Sequence, residues 1–309
     1  MNARCELCGS EHCSRLFKGQ DWLYGLAVQS EVVRCDDCGL IYLWPQPVRP
    51  LDFYPYNYAP HVGQPKPASA DVACSIGRRR GLLRKARLAN QYQQRALLDI
   101  GCAAGEFIAV IRALDGWMLW GMDRSERAVR HARQYFGVDV WVGDVPGLPL
   151  PNRSIGVVTM WHVLEHLPQP LAALRDIARV LQPDGVLMLA CPMVDSWEAW
   201  MFGRYWAGYD VPRHLFVYSR QTLQRMLRQA GFEASEIPNV VWGYNSAKIS
   251  SAFWLRKFPA FRYSPFPLHR MAALMGASAA MVFWLLSHTF GNRGSVAVIV
   301  ACKRLSAEE

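Results

Sequence analysis

The stretch Leu97-Leu98-Asp99-Ile100-Gly101-Cys102-Ala103-Ala104-Gly105-Glu106 decides how the chain is read. An apolar run stops at an acid and breaks into glycines, and Phe107, Ile108, Ile111 and Leu114 then repeat at helical spacing. The glycines therefore sit in a strand-to-helix turn, where Gly101 and Gly105 let backbone approach a ligand more closely than a β-carbon permits. A dinucleotide fingerprint needs glycine at all three positions of G-x-G-x-x-G to seat a pyrophosphate on the helix start. Here those positions are Gly101, Ala103 and Glu106, and a carboxylate at the third suits an anionic phosphate poorly. A cationic nucleotide-like ligand fits better.

Working outward, further acids keep step with this turn. Trp120-Gly121-Met122-Asp123 ends a second strand, and Ser125 can cap a helix carrying Ala128, Val129, Ala132 and Tyr135. Asp123 stands at the spacing expected of an acid that accepts both hydroxyls of a ribose. A strand over 138–142 is followed by Asp144, and a strand from Ile155 to Met160 runs into Trp161-His162-Val163-Leu164-Glu165-His166-Leu167. Taken alone, His162-x-x-Glu165-His166 matches a zinc-peptidase signature, but that chemistry needs one continuous helix and here the segment follows a strand and stops at Pro168. A helix with Leu171, Leu174, Ile177, Ala178 and Leu181 on one face closes at Gln182-Pro183-Asp184-Gly185 before a strand over 186–190. Trp206, Asp210, Pro212, Arg213 and His214 then form a polar and aromatic loop cluster beyond that strand's carboxyl end, where open α/β sheets bind ligands. A helix capped by Ser219, a strand near 237–242 and a last strand over 295–302 complete the pattern.

These residues resemble class I S-adenosylmethionine-dependent methyltransferases. Asp99 to Gly105 is similar to that family's acid-x-G-x-G-x-G motif with Ala103 in place of the middle glycine, Trp161 to Leu167 to its "hvlEHl" form, and Gln182 to Gly185 to its "LkPgG" turn. Gly156 stands where the family usually has an aspartate. The resemblance, closest to the type 23-like methyltransferase domain, implies an α/β fold: a Rossmann-like, doubly wound seven-stranded sheet with an antiparallel last strand. It implies S-adenosylmethionine as cofactor, held by Asp99, Gly101, Cys102, Ala103, Gly105, Asp123, Asp144, Trp161 and His162, with Asp144 facing the adenine amino group. The order W-x-x-x-D-x-P-R-H-L from Trp206 also resembles a methyltransferase subgroup with N-terminal cysteine knuckles, linked to glycan or secondary-metabolite pathways.

Such knuckles are present as Cys5-x-x-Cys8-Gly9 and Cys35-x-x-Cys38-Gly39. Each pair places two thiolates on one tight turn, and together Cys5, Cys8, Cys35 and Cys38 supply four sulfur ligands for a tetrahedral, structural zinc ion with no position left for water. The domain boundaries that follow are 1–43 for a zinc-ribbon-like module, 44–95 for a Pro/Tyr-rich linker and basic helix, and 96–309 for the methyltransferase domain, with an insertion at about 246–290. The basic helix carries Arg78, Arg79, Arg80, Arg84, Lys85 and Arg87, read as a solvated face. The insertion mixes aromatics with cations over 253–263 and then runs uncharged from Met271 to Ser287. A membrane crossing there would part the last strand from its sheet, which leaves a helix buried on the core, a homodimer contact, or a peripheral membrane contact through 253–288.

The formal net charge of +9 in 309 residues points to an anionic partner, and nine cysteines without secreted-scaffold spacing point to a reducing cytoplasm. No apolar signal-peptide core is seen at the N-terminus. The expected activity is methyl transfer to a small-molecule, sugar or lipid-linked glycan acceptor. His162 or His214 would act as base near neutral pH, and Arg213 would hold an anionic substituent. A zinc-ribbon RNA methyltransferase and a non-catalytic scaffold on the same fold are the competing readings.

Overall fold

A computed structural model of the chain describes residues 4–55, 72–237, 244–258, 268–289 and 293–304. Its strands and helices alternate in the order expected of an α/β protein. Strands β1 (Cys13–Lys18), β2 (Glu31–Cys35) and β3 (Ile41–Trp44) come first, then helix α1 (Val72–Ala89). Next are β4 (Ala96–Ile100), α2 (Glu106–Arg112), β5 (Met118–Asp123), α3 (Glu126–His131), β6 (Val140–Val142) and β7 (Ile155–Trp161). Helix α4 (Pro170–Val180), β8 (Leu181–Pro192), α5 (Trp197–Phe202), β9 (Phe216–Val217), α6 (Arg220–Gln229) and β10 (Phe232–Ile237) follow. The chain then forms α7 (Tyr244–Leu255), α8 (Leu268–Thr289) and β11 (Val296–Lys303).

Two compact units emerge. One comprises Met1–Phe53, Cys191–Arg225 and Val241–Ala297; the other comprises Tyr54–Ala190, Met226–Val240 and Val298–Glu309.

The second unit is built on a seven-stranded sheet of order β10-β11-β8-β7-β4-β5-β6. Strands β4, β5, β6, β7 and β8 pair in parallel and β10 pairs antiparallel with β11, as the family resemblance implied. Strand β4 is buried at all five residues, which is why its sequence is a continuous apolar run closed by an acid rather than an alternation. It lies between β5 and β7, so successive crossovers leave it in opposite directions and open a crevice at the carboxyl ends of the strands.

Two strands differ from the sequence reading. Strand β10 lies at Phe232–Ile237 rather than near 237–242, because Phe232 to Ile237 pair in unbroken register with Lys303 to Val298; residues 238–243 lie outside the described set. Strand β8 begins at Leu181, before the Gln182 to Gly185 turn. Leu181 pairs with Ile155 and Val186 with Val157, so the turn is a bulge inside the strand. Gly156 faces that bulge: a β-carbon there would lie 2.2 Å from the Gln94 Cβ, and Gln94 is tied by its amide to Asp184 at 2.6 Å. The absence of the family's aspartate therefore has a steric cause.

In the first unit β1, β2, β3 and β9 form a four-stranded sheet, with Ile41 and Tyr42 of β3 paired to Val217 and Phe216. The zinc-ribbon segment is thus completed by residues from far along the chain. The insertion is a helix pair, α7 against α8, in close contact where a β-carbon at Gly276 would lie 2.5 Å from the Lys248 Cα. No helix among the described residues is long and apolar enough to cross a membrane.

The Gly156 contact generates a test. Gly156→Asp, which restores the residue usual in the family, is expected to lower stability by about 1–3 kcal/mol through overpacking against Gln94. Urea unfolding followed by circular dichroism checks it; an unchanged midpoint would show that Gln94 moves freely.

Candidate functional site

The turn between β4 and α2 is left-handed at three of five residues: φ is 70° at Gly101, 48° at Ala103 and 84° at Gly105. Glycine is needed at the outer two, since a β-carbon would come within 2.4 Å of Val163 at Gly101 and 2.8 Å of Ala132 at Gly105. Ala103 adopts the same conformation with a side chain, at a cost of about 1–2 kcal/mol. What holds it is β5. The Met122 carbonyl accepts the Gly101 and Cys102 N–H groups at 2.7 and 3.0 Å. The Asp123 carboxylate accepts Ala103 N–H at 2.9 Å and, at the start of α3, Ser125 N–H at 2.8 Å. Each Asp123 oxygen keeps a further acceptor site. Cys102 turns its thiol into the core beside Ile108 and Val140, leaving only its backbone to the turn.

Asp99 is buried and accepts the Thr159 hydroxyl at 2.6 Å; burial pushes its carboxyl up to about 7, against the pull of Lys85. Asp144, at the exposed edge, pairs with Arg124 at 2.8 Å and accepts Val145 N–H. Trp161 ends β7 with Phe107 at its edge, and its buried indole N–H finds no partner among the described residues. Lys85 covers the Trp161 ring, with Nζ 4.5 Å from its centre, and burial lowers its ammonium to about 8 while Asp99 opposes that shift. Lys85 is therefore turned inward from α1 rather than solvated as the sequence suggested. Its place at helical spacing from Leu82 and Ala89 was the available signal.

His162 has φ 61°, another left-handed residue with a side chain, where such strain marks functional positions. Its Nδ1 lies 3.3 Å from Oε1 of Glu165, a carboxylate that is itself buried. The Tyr54 hydroxyl meets His166 Nδ1 at 3.0 Å. The segment after β7 is a short 3-10 turn, Leu164–His166, not the helix that a zinc peptidase requires.

The other expected site residues lie in the first unit. Arg213 is fully buried, forked between Asp21 (2.8 and 3.2 Å) and Asp210 (2.7 Å), with Tyr24 stacked 4.9 Å away. Burial alone would raise the Asp21 carboxyl, but the hydrogen bonds and charge of Arg213 together with the Tyr24 and Leu23 N–H groups outweigh it and hold that group below the usual range. The guanidinium expected to hold an anionic substituent is thus occupied by two carboxylates. His214 is buried and directs Nδ1 to the Gly208 carbonyl at 2.8 Å, which makes Nδ1 the protonated nitrogen. Trp206 lies over Gly208, where a β-carbon would strike its ring at 2.2 Å.

Cys5, Cys8, Cys35 and Cys38 converge with all four sulfurs within 4.8 Å of one another; Cys5 meets Cys38, and Cys8 meets Cys35, at 3.5 Å. A tetrahedron of Zn–S bonds of about 2.3 Å has edges of about 3.8 Å, so the set fits zinc. Both knuckles are built alike. Gly9 and Gly39 are left-handed and donate to the Cys5 and Cys35 carbonyls at 2.8 and 2.9 Å.

With this geometry in place, comparisons with known proteins bear on the chain from residue 77 to residue 237. Residues 77–237 match the methyltransferase-domain family. A probable S-adenosylmethionine-dependent methyltransferase of Mycolicibacterium smegmatis is 30% identical over 53% of this chain and 62% of its own length. An O-methyltransferase of Aspergillus sclerotiorum is 26% identical over 58% of this chain and 70% of its own. A solved S-adenosylmethionine-dependent methyltransferase from Archaeoglobus fulgidus aligns with 76% of this chain and 100% of its own, at 18% identity and a TM-score of 0.48. The chain spans less than two thirds of the length of the mycobacterial relatives it matches.

The Arg213 cluster predicts its own fragility. Asp21→Ala leaves a buried guanidinium half paired and is expected to cost about 3–5 kcal/mol, while Asp21→Ala with Arg213→Met recovers much of that loss. Denaturant unfolding of the three proteins decides; a single variant as stable as wild type would mean that water replaces Asp21.

Proposed function

The chain belongs to the methyltransferase-domain family, and from that premise we propose that it transfers a methyl group from S-adenosylmethionine to a small-molecule, sugar or lipid-linked glycan acceptor that carries negative charge. The observation that carries this reading is the turn after β4, clamped by Asp123 and flanked by Asp99 and Asp144 at successive strand ends. In this reading Asp123 takes the ribose hydroxyls on its remaining lone pairs, Asp144 faces the adenine amino group, and the backbone from Gly101 to Gly105 lines the nucleoside. Glu106 at the helix start, paired with Arg78 at 2.6 Å, argues against a phosphate at that place. Lys85 is the nearby cation suited to the carboxylate of the amino-acid moiety, and the unpaired Trp161 N–H supplies a donor.

When bound, the cofactor supplies an electrophilic methyl on a sulfonium. The protein's part is to align the acceptor, exclude water and remove a proton where the acceptor carries one. His162 is the better placed base of the two expected, because its ring is accessible and the Glu165 carboxylate 3.3 Å from Nδ1 would stabilise the imidazolium formed on taking a proton. His214 commits Nδ1 to Gly208 and is buried. The net charge of +9 supports an anionic acceptor, and the O-methyltransferase relative supports oxygen as the atom methylated. The four cysteines hold a structural zinc ion in this reading, since their geometry matches four Zn–S bonds and leaves no open position.

Calorimetric titration with S-adenosylhomocysteine tests the cofactor half. Wild type is expected to bind in the micromolar range and Asp123→Ala at least roughly tenfold more weakly, with NAD showing no heat. His162→Ala is expected to lower turnover by more than it weakens that affinity, and undiminished turnover would remove it as base. For zinc, elemental analysis of purified protein is expected to give one ion per chain, reduced in Cys35→Ser; a metal-free, folded wild type would refute the assignment.

A further inference from the structure

The helix pair of the first unit carries an apolar face left exposed among the described residues. Helix α8 packs on α7 at Gly276, close to Lys248, and Ala280 one turn on is buried too. On its other side Leu274, Met281, Val282 and Leu285 recur at i, i+7, i+8 and i+11, a single helical stripe, and each is between 50% and 72% exposed. A surface helix normally places charged or polar residues at such positions, yet none of residues 271–287 is charged. Helix α5 lies against the other side of α8, where its Phe202 packs edge-on against Phe283, and leaves the stripe uncovered. Exposed apolar surface of this extent marks an interaction site.

Charge selects the occupant. No aspartate or glutamate occurs between Glu236 and Glu308, whereas Lys248, Arg256, Lys257, Arg262, Arg270 and Arg293 fall within residues 241–297. At the end of α7 the exposed Phe258 lies under Lys257, with Nζ 6.0 Å from the ring centre. A second copy of the chain would meet this face through a twofold contact, bringing the same cations against one another. A nucleic acid would leave the stripe without an apolar partner. A bilayer with anionic headgroups offers both an apolar phase and opposite charge.

We propose that the exposed stripe of α8 docks the protein on an anionic phospholipid surface, the helix lying in the interface rather than crossing it. The docking is independent of the methyl-transfer reading.

The test is flotation of the full chain with vesicles of phosphatidylcholine alone and of phosphatidylcholine mixed with phosphatidylglycerol. Binding is expected to be at least roughly tenfold stronger to the anionic vesicles and to weaken with added salt. Leu274→Glu with Leu285→Glu is expected to abolish it, with circular dichroism confirming the fold. Because both positions face solvent, the fold should tolerate the change. Failure of wild type to float with anionic vesicles, equal binding to neutral ones, or undiminished binding by the double variant would each overturn the proposal. So would sedimentation showing a wild-type dimer that the double variant converts to monomer, which would assign the face to a second copy.

Discussion

The carboxylate of Asp123 holds two backbone N–H groups, and the shape of the glycine turn depends on that. Three left-handed residues within five are not a conformation a loop keeps alone, least of all with alanine among them. The end of β5 supplies the restraint from two sides, the Met122 carbonyl on Gly101 and Cys102 and the Asp123 carboxylate on Ala103. Strand β5 is in turn held in parallel register with β4 and β6. The parallel sheet therefore does more than carry the turn at its edge. Its register brings an acid to the one place where the turn's amides need an acceptor, and the same acid keeps lone pairs free for a ligand.

A second constraint governs the other unit. Arg213 and Asp21 are separated by 192 positions and meet with their side chains fully buried, and Asp210 closes the fork. A buried ion pair adds little net stability over apolar groups of the same shape, but breaking one is severe. Its effect is to make one arrangement of the loops around Asp21 and Asp210 far better than others. Asp21 also accepts the Leu23 and Tyr24 N–H groups, so one carboxylate orders its own loop and neutralises a distant guanidinium. The Pro-Arg-His stretch thus reads as architecture at Arg213, whatever its neighbours do.

The two departures from the family pattern have local physical causes. Gly156 is dictated by the approach of Gln94 across the bulge in β8, and Ala103 is tolerated because Asp123 fixes its N–H. Neither removes a group from the crevice at the strand ends. The strained φ at His162, beside a buried Glu165, is a further local cost at the same end of the sheet, of the kind that persists where surrounding structure over-determines a residue.

While the antiparallel last strand came from the family resemblance, the chain's local patterns sufficed for most of the parallel strands, the glycine turn with its acids, and the paired cysteine knuckles. Each rests on short-range physics: an apolar run before an acid, glycines where φ is positive, and two thiols on one tight turn. Side-chain partnership across long separations was not legible. Lys85 looked like one of a row of solvated cations, and only the packing of α1 turns it over Trp161 toward Asp99. Arg213 looked like a ligand for an anion, and only tertiary structure delivers Asp21 to it. Strand β9 is two residues long and joins the ribbon sheet from beyond residue 210, which no local periodicity could announce. Sequence spacing sets which backbone conformations are available, whereas burial and charge pairing depend on which distant surfaces meet.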